Sequence, residues 1–290
     1  MTRELQSPTR PFTPTMAATP ATARAGLGSG LARELNAVFA IAWREILRAI
    51  KSPVSIAFTI LFPVIFIGIM GGSISQGFGN ALPYAYLPFM LIGMIANGMY
   101  QGTITGVTNL VEERENDFTA ELFVAPVSRY TVLVGKMLGA AVASMIALIG
   151  VLAMVFVMQI PMDPGDLLRV LALSPVLAVA GGALGILFIG FVNDPKVAGL
   201  GVALLVFPQM FLSGALIPMA SSSGLLSLLS KLMPMTYSID LARNIFYAGK
   251  PEYAAAVLHP LWLDLLVTAV LSVVFIVVGT YLFVRRDRNR

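Results

Sequence analysis

From residue 54 onward the chain alternates long apolar runs with short polar breaks. Six such runs fall at about 54–72, 84–110, 131–158, 167–192, 197–220 and 262–284. At ~1.5 Å of rise per helical residue each can cross ~30 Å of hydrocarbon, so the pattern predicts an all-α integral membrane protein with six transmembrane helices. Ahead of them, over 31–51, Leu35, Val38, Phe39, Ala42, Trp43, Ile46 and Ile50 recur at helical spacing among Arg33, Arg44, Arg48 and Lys51. That segment reads as an amphipathic helix lying in the membrane interface, with Trp43 as anchor and the basic residues toward lipid head groups. It also suits the inner end of a long first span. Residues 1–30, rich in Thr, Pro, Ala and Gly, read as a disordered tail, and their Arg-rich, acid-poor character also fits an organellar transit peptide.

Between the fifth and sixth runs lies the longest connection, 221–261. Its Leu225, Leu226, Leu228, Leu229 and Leu232 precede Pro234 at helical spacing. The stretch is too short to cross a bilayer but too apolar for a free loop, so it predicts short helices that dip into the outer leaflet and return, an extracellular re-entrant segment before the last span.

Charge sets the orientation. The segment to Lys51 carries seven Lys or Arg and the tail 285–290 carries four, whereas the loop 73–83 carries none. With Arg114, Arg129, Lys136 and Lys196, fifteen of the nineteen basic residues fall on one side, which predicts cytoplasmic N- and C-termini in a multi-pass protein of the plasma membrane. Composition agrees: 57% of residues are apolar and 12% charged, and the mean hydropathy is +0.84, far from soluble-domain values. There is no cysteine and a single histidine, His259, so disulfides and thiolate metal sites are excluded. The sequence pattern marks no catalytic residue and no metal site, and nothing in it points to nucleic acid.

The polar break 111–129, VEERENDFTAELFVAPVSR, holds five acidic residues and two arginines. Asn116 and Asp117 are helix-capping types, Pro126 is a stop, and between them Phe118, Leu122 and Ala125 share one face. This predicts a short amphipathic helix over about 116–126 that needs a surface to be stable. Glu112, Glu113, Glu115 and Asp117 are expected to keep its entry solvated and to favour its N-terminal dipole. Carboxylates in such number also suit a cation site or acid–base work, but the pattern offers no converging partner.

The acidic cluster, the short helix and the following APVSRYTVLVGK resemble the signature of type-2 permeases of ATP-binding cassette (ABC) exporters. The flat helix 31–51, FLSGALIPMA closing the fifth span and LMPMTYSIDLARNIFYAG before the last agree in order with that family. The resemblance covers nearly all of the chain after residue 31 and is nearest to permeases of the daunorubicin-resistance type, which move drugs or lipids. It implies that 116–126 is a coupling helix seated in a partner ATPase, with Phe118, Leu122, Phe123 and Pro126 at the contact. It also implies two ATPase copies and a second permease subunit, as homodimer or heterodimer. No G-x-x-x-x-G-K-[ST] occurs in the chain, so ATP and Mg2+ are expected on that partner and no cofactor on this one.

Within the spans, Gly98, Gly102 and Gly106 form a strip on which another helix can pack closely. Asn97 and Gln101 beside it, and Gln209 with Phe207 and Phe211 in the fifth span, either bond across helices or line a substrate pathway. Pro63 and Pro208 are expected to kink their helices. Arg243 and Asp264 are expected as solvated interfacial charges. Three alternatives stay open. A permease for polysaccharide or glycolipid would use aromatics such as Phe89, Tyr100, Phe207 and Phe211. An ion-coupled carrier would need charged groups at mid-depth, which the runs lack. A membrane-embedded enzyme would need a polar pair at one depth.

Overall fold

The computed structural model describes residues 27–71, 73, 77, 82–115, 128–160, 162–192, 194–219 and 222–288, and every regular element among them is helical. In chain order these are α1 (Leu27–Ile50), α2 (Pro53–Phe66), continued by a π-helical turn (Ile67–Gly71), α3 (Tyr86–Glu115), α4 (Arg129–Ser144), α5 (Ile146–Val157), α6 (Pro164–Ala172), α7 (Ser174–Phe191), α8 (Pro195–Leu212), α9 (Leu225–Leu232), α10 (Pro234–Phe246), the single turn α11 (Tyr253–Ala256) and α12 (Leu261–Arg288). The tail expected at 1–30 lies outside the described residues except for its last four, which begin α1. The predicted coupling helix at 116–126 lies outside them altogether, as do the last two residues of the basic tail.

Helices occupy all six expected runs. Among the described residues, four stretches are both long and apolar enough to cross a membrane: Arg129–Val157, Pro164–Phe191, Pro195–Leu212 and Tyr253–Arg286. Three of the four are interrupted, at Met145 between α4 and α5, at Leu173 between α6 and α7, and at 257–260 between α11 and α12. The first run is a shorter apolar helix that loosens after Pro63 into the π turn, because proline removes a ladder donor and the next amides must re-register.

α3 is the axis of the bundle. Thirty residues give it about 45 Å of length, and Phe89 to Ala96, Met99, Tyr100, Ile104, Val107, Leu110 and Val111 are buried along it. Small residues let its neighbours approach. A methyl group on Gly102 would lie 2.7 Å from Ser144 Cβ, and one on Gly106 would meet Ala140 Cβ, so the glycine strip packs on α4. Around the periphery, α12 turns Leu265, Leu266, Val270, Val273, Val277 and Tyr281 outward, an apolar face suited to lipid.

Two expectations are corrected here. The fifth run is helical only to Leu212, and 213–219 is irregular backbone that is nonetheless mostly buried. Such backbone survives away from water only if its carbonyls find donors. Tyr86 Oη donates to Leu216 O at 2.7 Å, and the Arg243 guanidinium donates to Gly214 O at 2.5 Å and Ala215 O at 3.4 Å. Gly214 itself sits at φ +79°, a conformation that side chains disfavour. Arg243, in the connection before the last span, is therefore a buried structural cation and not a solvated one. It lies 3.5 Å from the centroid of the Phe89 ring. Burial lowers its pKa to about 10, against the attraction of Asp240, which leaves it charged at neutral pH. Asp264 is likewise buried.

Candidate functional site

α1 covers the last turn of α3 and the first turns of α4. Ile41 and Glu45 face inward, while Leu31, Leu35, Phe39 and Trp43 stay exposed on another side. Gly135 and Gly139 of α4 allow the approach: a methyl on Gly139 would lie 2.7 Å from Ala42 O, and one on Gly135 would lie 2.9 Å from Ile41 Cβ. This packing brings charges together. Lys136, 2% exposed, bonds Glu45 and lies 2.5 Å from Glu113. Glu113 also accepts from Arg48, with Arg44 at 3.6 Å, and Glu112 lies 4.0 Å from Arg48. Among the described residues, three carboxylates thus meet three cations. Burying charges such as Lys136, Glu45 and Glu113 is costly unless each finds a partner.

The expected role of the acidic stretch changes accordingly. Glu113 is buried in an ion-pair network instead of solvating the entry, because α3 continues through Glu115 and α1 lies over it. Glu112 remains exposed. Asp117, Phe118, Leu122, Phe123 and Pro126 lie outside the described residues. Where the chain resumes, Glu34 of α1 accepts from Ser128 N at 3.3 Å and from Thr131 Oγ1, while Ser128 Oγ caps α4 by accepting from Tyr130 N at 3.2 Å. One helix therefore holds the residues that flank 116–127, Glu113 through Arg44 and Arg48 and Ser128 and Thr131 through Glu34. These anchors lie roughly 15–21 Å apart along α1 at ~1.5 Å per residue.

Beside the charge cluster, a cavity of about 370 Å3 lies between α1, α2, α3, α4 and α5. Its lining mixes Asn97, Gln101, Thr105, Asn109 and Ser144 with Phe62, Met94, Ile95 and Leu148, and it reaches Glu45 and Arg48 at one end. Gln101 Nε2 donates to Asn97 Oδ1 at 2.5 Å. Gly98 lines the same cavity. The fifth-run candidates are elsewhere. Phe207 and Phe211 stand on an exposed face of α8 with ring centroids 6.0 Å apart. Gln209 is buried, donates to Leu205 O at 3.1 Å, and does not line the cavity.

Sequence reasoning missed Glu45 and Lys136. Each stands out only as a lone charge of its sign, Glu45 among arginines and Lys136 at the edge of an apolar run, and neither spacing names its partner. At the opposite end of the bundle, Asp240 of α10, His259 and Asp264 of α12 converge, with one ligand-type atom from each all within 4.8 Å of one another. The sequence pattern does not mark this set, because its three members are 5 to 24 residues apart in three separate segments.

A family model described as ABC-2 type transporter matches residues 36–247. A protein of Porphyra purpurea described as the transport permease ycf38 is 24% identical over 255 residues, which cover 86% of this chain and 87% of that one. The corresponding ycf38 protein of Pyropia yezoensis is 23% identical over 236 residues, covering 80% and 81%.

Proposed function

The chain belongs to the ABC-2 type transporter family, and from that premise we propose that it is the six-span permease subunit of an ATP-driven exporter. In this reading the termini are cytoplasmic. The segment 116–126 docks on a separate ABC ATPase, which binds ATP and Mg2+ and closes and reopens as it hydrolyses them. Two ATPase copies and two permease subunits make the working unit. The cargo is a hydrophobic or amphipathic compound, drug-like or lipid, carried outward.

The observation that carries the coupling role is that α1 holds Glu113 and Ser128, described residues on either side of 116–127. A load placed on that segment passes at once to α1, α3 and α4, because Glu113 and Lys136 join all three. The cavity supports the cargo class. Its volume falls in the range of ~300–1,000 Å3 typical of small-molecule sites, and its amide and hydroxyl lining beside Phe62, Ile95 and Leu148 suits a molecule with a polar head and an apolar body. Purification from native membranes should bring down a P-loop ATPase. ATP hydrolysis by the reconstituted complex should rise with amphipathic compounds and respond less after Asn97→Leu with Gln101→Leu. If no ATPase accompanies the chain, the permease reading fails. If hydrolysis is stimulated equally in the double variant, the cavity is not on the pathway.

A further inference from the structure

We propose that Asp240, His259 and Asp264 form a binding site for a divalent transition-metal cation of the zinc type, at the end of the bundle opposite the charge cluster. The three residues come from three pieces of chain: the middle of α10, the connection 257–260 and the first turn of α12. Both aspartates are fully buried, and His259 is 19% exposed. His259 Nδ1 lies 3.4 Å from Asp240 Oδ2 and 3.4 Å from Asp264 Oδ1. Yet His259 Nδ1 and Asp264 Oδ1 are buried atoms without a hydrogen-bond partner. An imidazole nitrogen and a wholly buried carboxylate oxygen thus point at a common space without bonding each other.

Two of the three spacings suit a tetrahedral cation. Zinc binds His nitrogen and carboxylate oxygen at about 2.0–2.2 Å, and the edge of a tetrahedron with ~2.1 Å bonds is about 3.4 Å. Two of the edges have that length here. Charge points the same way, since of the two buried carboxylates the attraction between Arg243 and Asp240 offsets one charge at most. The nearby Arg243 aims its guanidinium at the carbonyls of Gly214 and Ala215 and at the Phe89 ring. Among the described residues, the ion-pair partner of either aspartate is His259 alone.

The ligand-bearing groups are also held from behind, as in metal sites. Asp240 Oδ1 accepts from Leu258 N at 2.9 Å, and Oδ2, the ligand oxygen, also accepts from His259 N at 2.7 Å. Asp264 Oδ2 accepts from Asn244 Nδ2 at 2.8 Å, and Asn244 Oδ1 in turn accepts from Tyr253. The His259 ring stacks on Tyr237 with centroids 5.3 Å apart. One nitrogen and two carboxylate oxygens favour zinc, cobalt or manganese over the all-oxygen preferences of calcium and magnesium. A water completes the fourth position on the exposed side of His259. The cation ties α10 to α12, and with them the buried irregular stretch 213–219 that Arg243 supports.

The test uses the full chain, purified in detergent without a histidine tag, and titrated with Zn2+ or Co2+. The expected result is about one equivalent of tightly held cation, a Co2+ visible spectrum of tetrahedral intensity, and a higher unfolding temperature with Zn2+. His259→Ala should abolish binding, and Asn244→Ala, which releases Asp264 and the His259 carbonyl without removing a ligand, should weaken it about 10–100-fold. Failure of the wild-type chain to retain a stoichiometric cation overturns the proposal and leaves the two carboxylates sharing a proton. Retention unchanged in His259→Ala overturns it equally. The wild-type Co2+ spectrum decides the matter even if a variant does not fold.

Discussion

Lys136 shows how one side chain can carry a junction between helices. Its ammonium is the cation shared by Glu45 of α1 and Glu113 of α3, so Lys136→Met leaves two carboxylates close together and buried. Removing one partner of a buried ion pair typically costs about 3–5 kcal/mol. Thermal unfolding in detergent should show a marked fall in Tm for Lys136→Met, with part of the loss restored by adding Glu45→Gln. An unchanged Tm would mean that water screens the cluster. In the sequence, Lys136 is legible only as one positive charge at the start of an apolar run, and Glu113 as one of five acids in a polar break. Periodicity places a residue on a helix face but does not say which helix covers that face. The pairing of 45, 113 and 136 comes from α1 folding across the bundle, a long-range contact that no local pattern encodes.

The helices themselves were the most legible layer, since six apolar runs and one amphipathic segment need only length and period to be seen. Helix ends were less so. The fifth run continues as apolar residues past Leu212, and hydropathy does not distinguish a buried helix from buried irregular chain. What separates them is the donor supply from Tyr86 and Arg243. Arg243→Met should therefore leave 213–219 short of donors, seen as faster amide exchange and earlier proteolysis there, with α3 unaffected. At the other end of the bundle, Glu34→Ala removes the acceptor for Ser128 and Thr131. Exchange should quicken over the first turn of α4 and ATPase coupling should weaken, while binding of the ATPase persists. Loss of binding itself would assign Glu34 to the contact surface.

For the whole molecule, the separation of two polar clusters to opposite ends of an apolar bundle follows from the cost of burying charge at mid-depth. The absence of cysteine from the chain makes the orientation directly measurable. Single cysteines at Ser75 and Ser223 should react with an impermeant thiol reagent in intact cells, and one at Asn193 only after permeabilisation. Labelling of Asn193→Cys from outside would reverse the topology. Neither the ATPase contact nor the cavity can be read from composition. The proposed contact rests on an amphipathic pattern over 116–126, and the cavity is lined from five helices far apart in the chain. The central claim, that this chain is moved by a separate ATPase through 116–126, is tested most directly by co-purification after Phe118→Glu with Leu122→Glu. The account predicts an intact, membrane-inserted permease that no longer brings the ATPase down. Retention of the ATPase at the wild-type ratio would contradict it.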